Sequence, residues 1–249
     1  MRGKRALLLR RLASLALVLG AWQIASLFFP PLVVPPIPKV AARLVQIVTR
    51  KTFFSLLWTT LLRLLAGLGT GIAAGTLLGL LFGLCRPAED ILSPVVRILQ
   101  TVPPVCWVVL ALVWFGFNGK PCVFIVAAAA IPTMVINLSG GVRSIDPELI
   151  EMARIYHFSR AKILRHIILP SVEPYFRSAL EIVAGGGWKL VVMGEVLTTS
   201  TGIGGAITTA RLNIEPDAII AWAMLLVLLC CLTQKLLHLL FSRKAAVGC

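Results

Sequence analysis

Charged side chains are scarce in this sequence: they make up 14% of its 249 residues, beside 58% hydrophobic ones. Soluble domains carry about a quarter charged residues, so a soluble globule of this composition would be left uncovered. Cysteine pairing is missing too. Cys85, Cys106, Cys122, Cys230, Cys231 and Cys249 show no C-x-x-C spacing and lie mostly in apolar surroundings, which speaks against a disulfide framework or a metal site. No G-x-x-x-x-G-K-[ST] occurs, so the chain is not expected to bind or hydrolyse ATP itself. His157 and His166 lie in a polar stretch and His238 near the end of an apolar run, which leaves little apparatus for an intramembrane enzyme. No internal repeat is visible, whereas a standalone secondary transporter usually shows repeat symmetry and more spans. These two classes are the alternatives to the reading developed below.

What the chain has instead is apolar length. Several runs exceed the roughly 18 apolar residues of a membrane-crossing helix. The expected fold class is an all-α integral membrane protein, a single domain over residues 1–249 with about six transmembrane helices. The formal net charge of +14 sits at the ends of the apolar runs, where anchoring and the positive-inside bias put it, so no nucleic-acid partner is expected.

In chain order, Arg2, Lys4, Arg5, Arg10 and Arg11 precede an apolar run over 12–29. It shows no convincing small-residue cleavage site and reads as a retained first helix. Five prolines between Pro30 and Pro38 make a stiff, extended connector on the outer side, within an outer segment of about 30–55. From Lys39 the pattern turns amphipathic, with Val40, Leu44, Ile47 and Val48 on one face, which suits a helix lying along the outer interface. Lys39, Arg43, Arg50 and Lys51 then fall outside, against the positive-inside bias. The second span, about 58–84, carries Gly67, Gly71, Gly75, Gly79 and Gly83. Steps of four put these glycines on one helix face, a device for close helix packing.

The third span opens at Pro103-Pro104 and reaches about 116, and the fourth covers 123–138 with Pro132 inside. A fifth covers 175–196, interrupted by Gly185-Gly186-Gly187 and bearing Lys189 and Glu195. Residues 197–217, with TGIGG at 201–205, read as an outer loop with room for one re-entrant or interfacial turn. The sixth span covers 218–240, and the tail from Phe241 to Cys249 ends inside. Arg63 and Arg177 lie near span ends, where snorkelling accounts for them. For Lys189, a pore or partner role and snorkelling or a structural ion pair stand side by side. Trp107, Trp114 and Trp188 suit packing or interface positions.

One polar island remains, about 140–170. Asp146 suits an N-cap and Pro147 the first helical position, with Glu148 and Glu151 early, where the helix dipole favours acid. A break at His157-Phe158-Ser159 lets Ser159 cap a second helix over 160–168. The result is two short helices around an exposed tip, or else a charged loop that only solvates the membrane surface.

Glu151, Ala153, Ile167, Leu169 and Pro170 stand in the register of the "EAA" loop of ABC-importer permeases, and the island resembles that loop. Met152 replaces its second residue, and His157 replaces its glycine, which suggests a left-handed backbone there. The segments VPP at 102–104, WFG at 114–116, GVRSIDPELIEMAR at 141–154, Trp188 to Glu195 and TGIGG are similar to the nitrate/sulfonate/taurine (bicarbonate) branch of these type I importers. The resemblance implies a coupling helix whose ATPase contacts are Glu151, Ala153, His157, Phe158, Ser159, Arg160 and Ala161. It implies a second permease subunit, most simply a homodimer, two ATP-binding subunits that hold ATP and Mg, and an extracytoplasmic substrate-binding protein. It further implies the bacterial cytoplasmic membrane with both termini in the cytoplasm. Candidates for the translocation pathway are Lys189, Glu195, Trp188 and Trp107.

Overall fold

The computed structural model describes residues 2–245, and the expected inward end of the tail, 246–249, lies outside them. Every element among the described residues is helical: α1 Arg2–Phe28, α2 Ile37–Thr49, α3 Phe53–Leu84, α4 Arg86–Thr101, α5 Pro104–Phe115, α6 Lys120–Arg143, α7 Pro147–Ile155, α8 Arg160–Ile163, α9 Leu169–Thr198, α10 Gly202–Leu212 and α11 Pro216–Ala245. A π-helical turn over Leu164–Ile168 joins α8 to α9.

The core is the parallel pair α3 and α6. A methyl group built on Gly67, Gly71 or Gly75 would meet the Cβ of Val126, Ala130 or Met134 at 2.6–2.7 Å. On Gly79 it would meet Leu138 at 2.9 Å, and on Gly83 it would collide with Val142. Two ladders with the same four-residue step are thus set backbone against side chain, and only glycine on α3 allows this approach. Helix α9 runs antiparallel to both: Gly187 packs on Leu64 and Leu68, and Gly194 on Cys122. Helix α11 runs antiparallel to α9 in turn, with Trp188 Nε1 donating to Thr233 Oγ1 at 2.9 Å and Arg177 lying over the Phe241 ring.

Three helices are each long and apolar enough to cross a membrane: Phe53–Leu84, Lys120–Arg143 and Pro216–Phe241. The third expected span differs. Its helix α5 has 12 residues, about 18 Å of rise against about 30 Å of hydrocarbon, and it meets α4 at 99°. The cause is local: Val102 is held extended (ψ 125) before Pro103, which disfavours a helical conformation in the residue preceding it. The fifth expected span is not interrupted at Gly185-Gly186-Gly187, because α9 runs through them. Gly185 is needed where Gln234 approaches, and Gly187 where Leu64 does, so tertiary contacts outweigh the low helix propensity of glycine. Residues 202–212 form a full helix of about three turns where an outer loop with room for one re-entrant or interfacial turn was expected, and α10 bends 52° from α9.

The connector is less extended than expected: Val33 N–H donates to the Pro30 carbonyl at 2.8 Å, and Pro38 already lies in the first turn of α2. Trp22 Nε1 donates to the Pro35 carbonyl at 3.2 Å, which ties α1 to this segment. Amphipathic α2 buries Val40 and Ile47 against the bundle, and Arg43 pairs with Glu215 at 2.8 Å and Asp217 at 3.3 Å at the start of α11. The molecule therefore has two ends. One gathers α2, α10 and the start of α11, and the other gathers α4, α7, α8 and the end of α11.

Candidate functional site

At the α7–α8 end the backbone follows the caps. Asp146 accepts from the Glu148 amide at 2.9 Å, and Ser159 from the Lys162 amide at 3.3 Å. Between them His157 adopts φ +52. The Phe158 amide reaches back to the Ala153 carbonyl at 2.9 Å, and the His157 amide to Arg154 at 2.9 Å. This is a Schellman ending, which satisfies the last carbonyls of α7 and normally places glycine at the left-handed position. His157 therefore makes the turn its sequence position suggested, with a side chain where glycine is usual. The second helix is shorter than expected. After Ile163 the turn widens, Leu169 N–H bonding to the Leu164 carbonyl, and this precedes Pro170, whose ring and missing N–H would disrupt a regular α-helical turn.

Glu151, His157, Phe158, Ser159, Arg160 and Ala161 are all exposed on this tip, while Ala153 faces inward and is 1% exposed. Sequence reasoning named Phe158, 40% exposed, but missed the apolar side chains beside it: Ile155 is 74% exposed and Tyr156 68%. Large apolar side chains clustered on a polar loop make this tip a candidate docking surface.

The pathway candidates separate. Trp188 is buried in the core. Trp107 packs edge-on to Phe124, with ring centroids 6.2 Å apart. Glu195 is fully buried, and both its oxygens are engaged. Thr60 Oγ1 donates to them at 2.9 and 3.0 Å, Arg63 Nη1 at 2.6 Å and the Gly204 amide at 2.9 Å. Thr60 in turn accepts from the Ile203 amide at 2.9 Å, and Arg63 Nη2 donates to Thr201 Oγ1 at 2.7 Å. Gly202 has φ +81, and a methyl group there would strike the Glu195 carboxylate. TGIGG is therefore the cradle of a buried charge, holding α3, α9 and α10 together. Arg63 does not snorkel; its guanidinium is the partner this carboxylate requires, since a buried charge without one is strongly destabilising. Arg177 is likewise paired, with Glu173. The available signal was Thr60 and Arg63 on one face of α3, opposite an acidic residue at membrane depth. Lys189 alone of the four presents its side chain on an exposed face.

Residues 67–246 match the family described as binding-protein-dependent transport system inner membrane component. The chain is 27% identical over 217 residues to the taurine transport system permease protein TauC of Escherichia coli (strain K12), covering 84% of this chain and 79% of that protein. It is 26% identical over 227 residues to the putative aliphatic sulfonates transport permease protein SsuC of Bacillus subtilis (strain 168), covering 90% and 82%. With the bicarbonate transport system permease protein CmpB of Synechococcus elongatus it shares 32% over 171 residues, 67% of this chain and 62% of that one. Among solved structures, a chain of a bacterial ABC transporter involved in the import of the acidic polysaccharide alginate matches with a TM-score of 0.68 at 16% identity, covering 96% of each. A chain of the inward-facing MetNI methionine ABC transporter matches at 0.60 and 17%, covering 76% of this chain and 98% of that one. The family match over residues 67–246, more than half of the chain, shows the membership: the chain belongs to the binding-protein-dependent transport system inner membrane components, the permeases of ABC importers.

Proposed function

We propose that this chain forms half of the substrate pathway of an ATP-driven importer of small anionic solutes, in the bacterial cytoplasmic membrane with both termini inside. Two copies form the pore. Two ATP-binding subunits grip the α7–α8 tips, and an extracytoplasmic binding protein delivers the cargo at the α2–α10 end. The observation that carries this reading is the α7–α8 tip, with its capped turn at His157 and its exposed Ile155, Tyr156 and Phe158. The taurine, sulfonate and bicarbonate relatives support the choice of cargo class.

In mechanism, ATP binding draws the two ATPase subunits together and carries the tips with them, and α9, continuous from the π turn to Glu195, carries that motion across the membrane. This is a coupling free energy between two distant sites. ATP and Mg belong to the partner subunit.

The test is co-purification of the chain with an ATP-binding subunit, followed by ATP-dependent import in vesicles. Glu151→Lys should leave the complex assembled enough to hydrolyse ATP while import falls by about tenfold, roughly 1.4 kcal/mol of coupling. A Glu151→Lys variant that imports at the normal rate removes the coupling role from this helix.

A further inference from the structure

At the α2–α10 end a cavity of about 360 Å³ opens between α2, the start of α3, α10 and the start of α11. Sites for small molecules run from roughly 300 to 1,000 Å³. The buried part of its lining is apolar: Ile47, Phe53 and Trp222 are 6–8% exposed. The two rings stack, with centroids 6.3 Å apart and an interplanar angle of 25°. The exposed part of the lining is polar, with Gln46, Arg50, Thr52, Ser200 and Asn213. None of these five side chains has a hydrogen bond or an ion pair among the described residues. An apolar wall with a few convergent, uncommitted polar groups is the composition of a ligand site.

The charges of the lining decide the sign of the occupant. Arg43 is answered by Glu215 at 2.8 Å and by Asp217 at 3.3 Å. Arg50 has no such partner, so it is the one uncommitted charge that the cavity presents. It is also one of the cations that stand on the outer side against the positive-inside bias, and no contact within the described residues accounts for it. Its backbone is held in the turn between α2 and α3: its amide bonds to the Ile47 carbonyl at 3.3 Å, and its carbonyl accepts from the Phe53 amide at 3.0 Å. Thr52 is the N-cap residue of α3, yet its hydroxyl makes no capping bond, although threonine at that position normally supplies one. Ser200 is held by its backbone, which packs so closely on Gly205 that a methyl group there would collide with it. One cation and two hydroxyls are thus positioned around the cavity and unused by the fold.

Resting on the importer reading of this end, we infer that the cavity is an acceptor site for the cargo on the permease itself, and that it takes a small organic oxyanion. The sulfonate or carboxylate head pairs with the Arg50 guanidinium, whose planar fork suits such groups, and with the hydroxyls of Thr52 and Ser200. The carbon stem lies on Phe53 and Trp222, where each buried methylene adds affinity. Nitrate and bicarbonate have the head without the stem and bind less tightly here. An anionic lipid offers the same pairing of oxyanion and stem, but the rim of Gln46, Ser200 and Asn213 suits a water-soluble solute rather than acyl chains.

The experiment titrates the full chain in nanodiscs of zwitterionic lipid, without ATP or binding protein, with ethanesulfonate, butanesulfonate and nitrate, followed by calorimetry. Butanesulfonate should bind saturably and several-fold more tightly than ethanesulfonate, and nitrate most weakly. Arg50→Met should weaken butanesulfonate binding by about tenfold or more, the weight of a hydrogen bond to a charged group, and Arg50→Lys should recover part of the loss. The Tm of Arg50→Met should not move, because the side chain has no partner to lose. Lys51→Met, which removes the neighbouring cation outside the lining, should bind like the wild type. Absence of saturable binding, or binding that Arg50→Met leaves unchanged, overturns the site. Equal weakening by Arg50→Met and Lys51→Met would mean general attraction to a basic surface and overturns it as well. A second arm repeats the titration in nanodiscs of anionic lipid, at salt that screens the lipid charge. Butanesulfonate affinity should be unchanged, and a large loss would make a lipid phosphate the occupant and overturn the assignment to a solute. Binding that persists in a chain unable to support import would count against the importer reading alone, and import of an anion by a chain that binds none of the probes would count against the site alone.

Discussion

Helix α9 ends in two very different surroundings. At its C-terminal end the Glu195 carboxylate is enclosed completely and takes hydrogen bonds from three other points of the chain, on Thr60, Arg63 and Gly204. At its N-terminal end, α7 buries Ala153 alone and α8 buries no residue, while aromatic and aliphatic side chains stand exposed. A buried and fully paired charge has one low-energy arrangement, so it fixes the α3–α9–α10 junction. A lightly tethered helical tip with apolar surface leaves that surface free for the partner proposed above. Under the proposed function, the contrast gives rigidity to one end and docking to the other.

The most damaging change should be at the fixed end. Arg63→Met leaves Glu195 buried without its cation and should destabilise the fold by about 3–5 kcal/mol, read as a drop in detergent Tm. Adding Glu195→Gln should restore part of it, the mark of a coupled pair. If Arg63→Met melts like the wild type, the junction is not held by this pair. Next come the glycines of α3. Gly75→Val drives a side chain into Met134 and should cost about 1–3 kcal/mol, whereas Gly69→Ala, with nothing within 4 Å, should be neutral or stabilising by up to about 1 kcal/mol. Equal effects at the two positions would contradict the ladder.

Smaller effects are expected at the two left-handed turns, one at each end. His157 has φ +52 and Ile214 φ +57. The Ile214 turn repeats the Schellman pattern, with the Glu215 amide on the Ala210 carbonyl at 2.9 Å, but with a β-branched residue in the strained position. Replacement by glycine should stabilise by roughly 1 kcal/mol at each site, more at Ile214 than at His157, by thermal unfolding of the two single variants. The reverse order would mean that His157 carries strain its backbone angles do not show.

How much of this was legible in the sequence depends on how local the determinant is. Asp146, Pro147, Ser159 and the left-handed His157 act within a few residues, and their turn formed where expected. The glycine ladder announced its face through a four-residue period, although its partner ladder from Val126 to Val142 carries no such mark. Distant determinants were hidden. Glycines at 202, 204 and 205 argue against a helix by propensity, yet α10 forms because Glu195 and Ser200 occupy the space their side chains would need. Gly185 and Gly187 suggested a break, yet they serve contacts with Gln234 and Leu64. Arg63 resembled an interfacial anchor because its partner lies 132 residues away. The bend at Val102 was readable from Pro103-Pro104, but its 99° angle is set by the packing of α4 and α5 on α6.

The sharpest test of the docking end is retention of the ATP-binding subunit by a Phe158→Asp variant, measured as subunit recovered per purified chain. Because α7 and α8 bury almost nothing, its Tm should stay near the wild-type value. The account predicts that retention falls by about tenfold or more, as expected when a charge is placed in the apolar centre of an interface. Retention equal to the wild type, with Tm unchanged, would contradict the assignment of the α7–α8 tip as the handle through which ATP is coupled to transport.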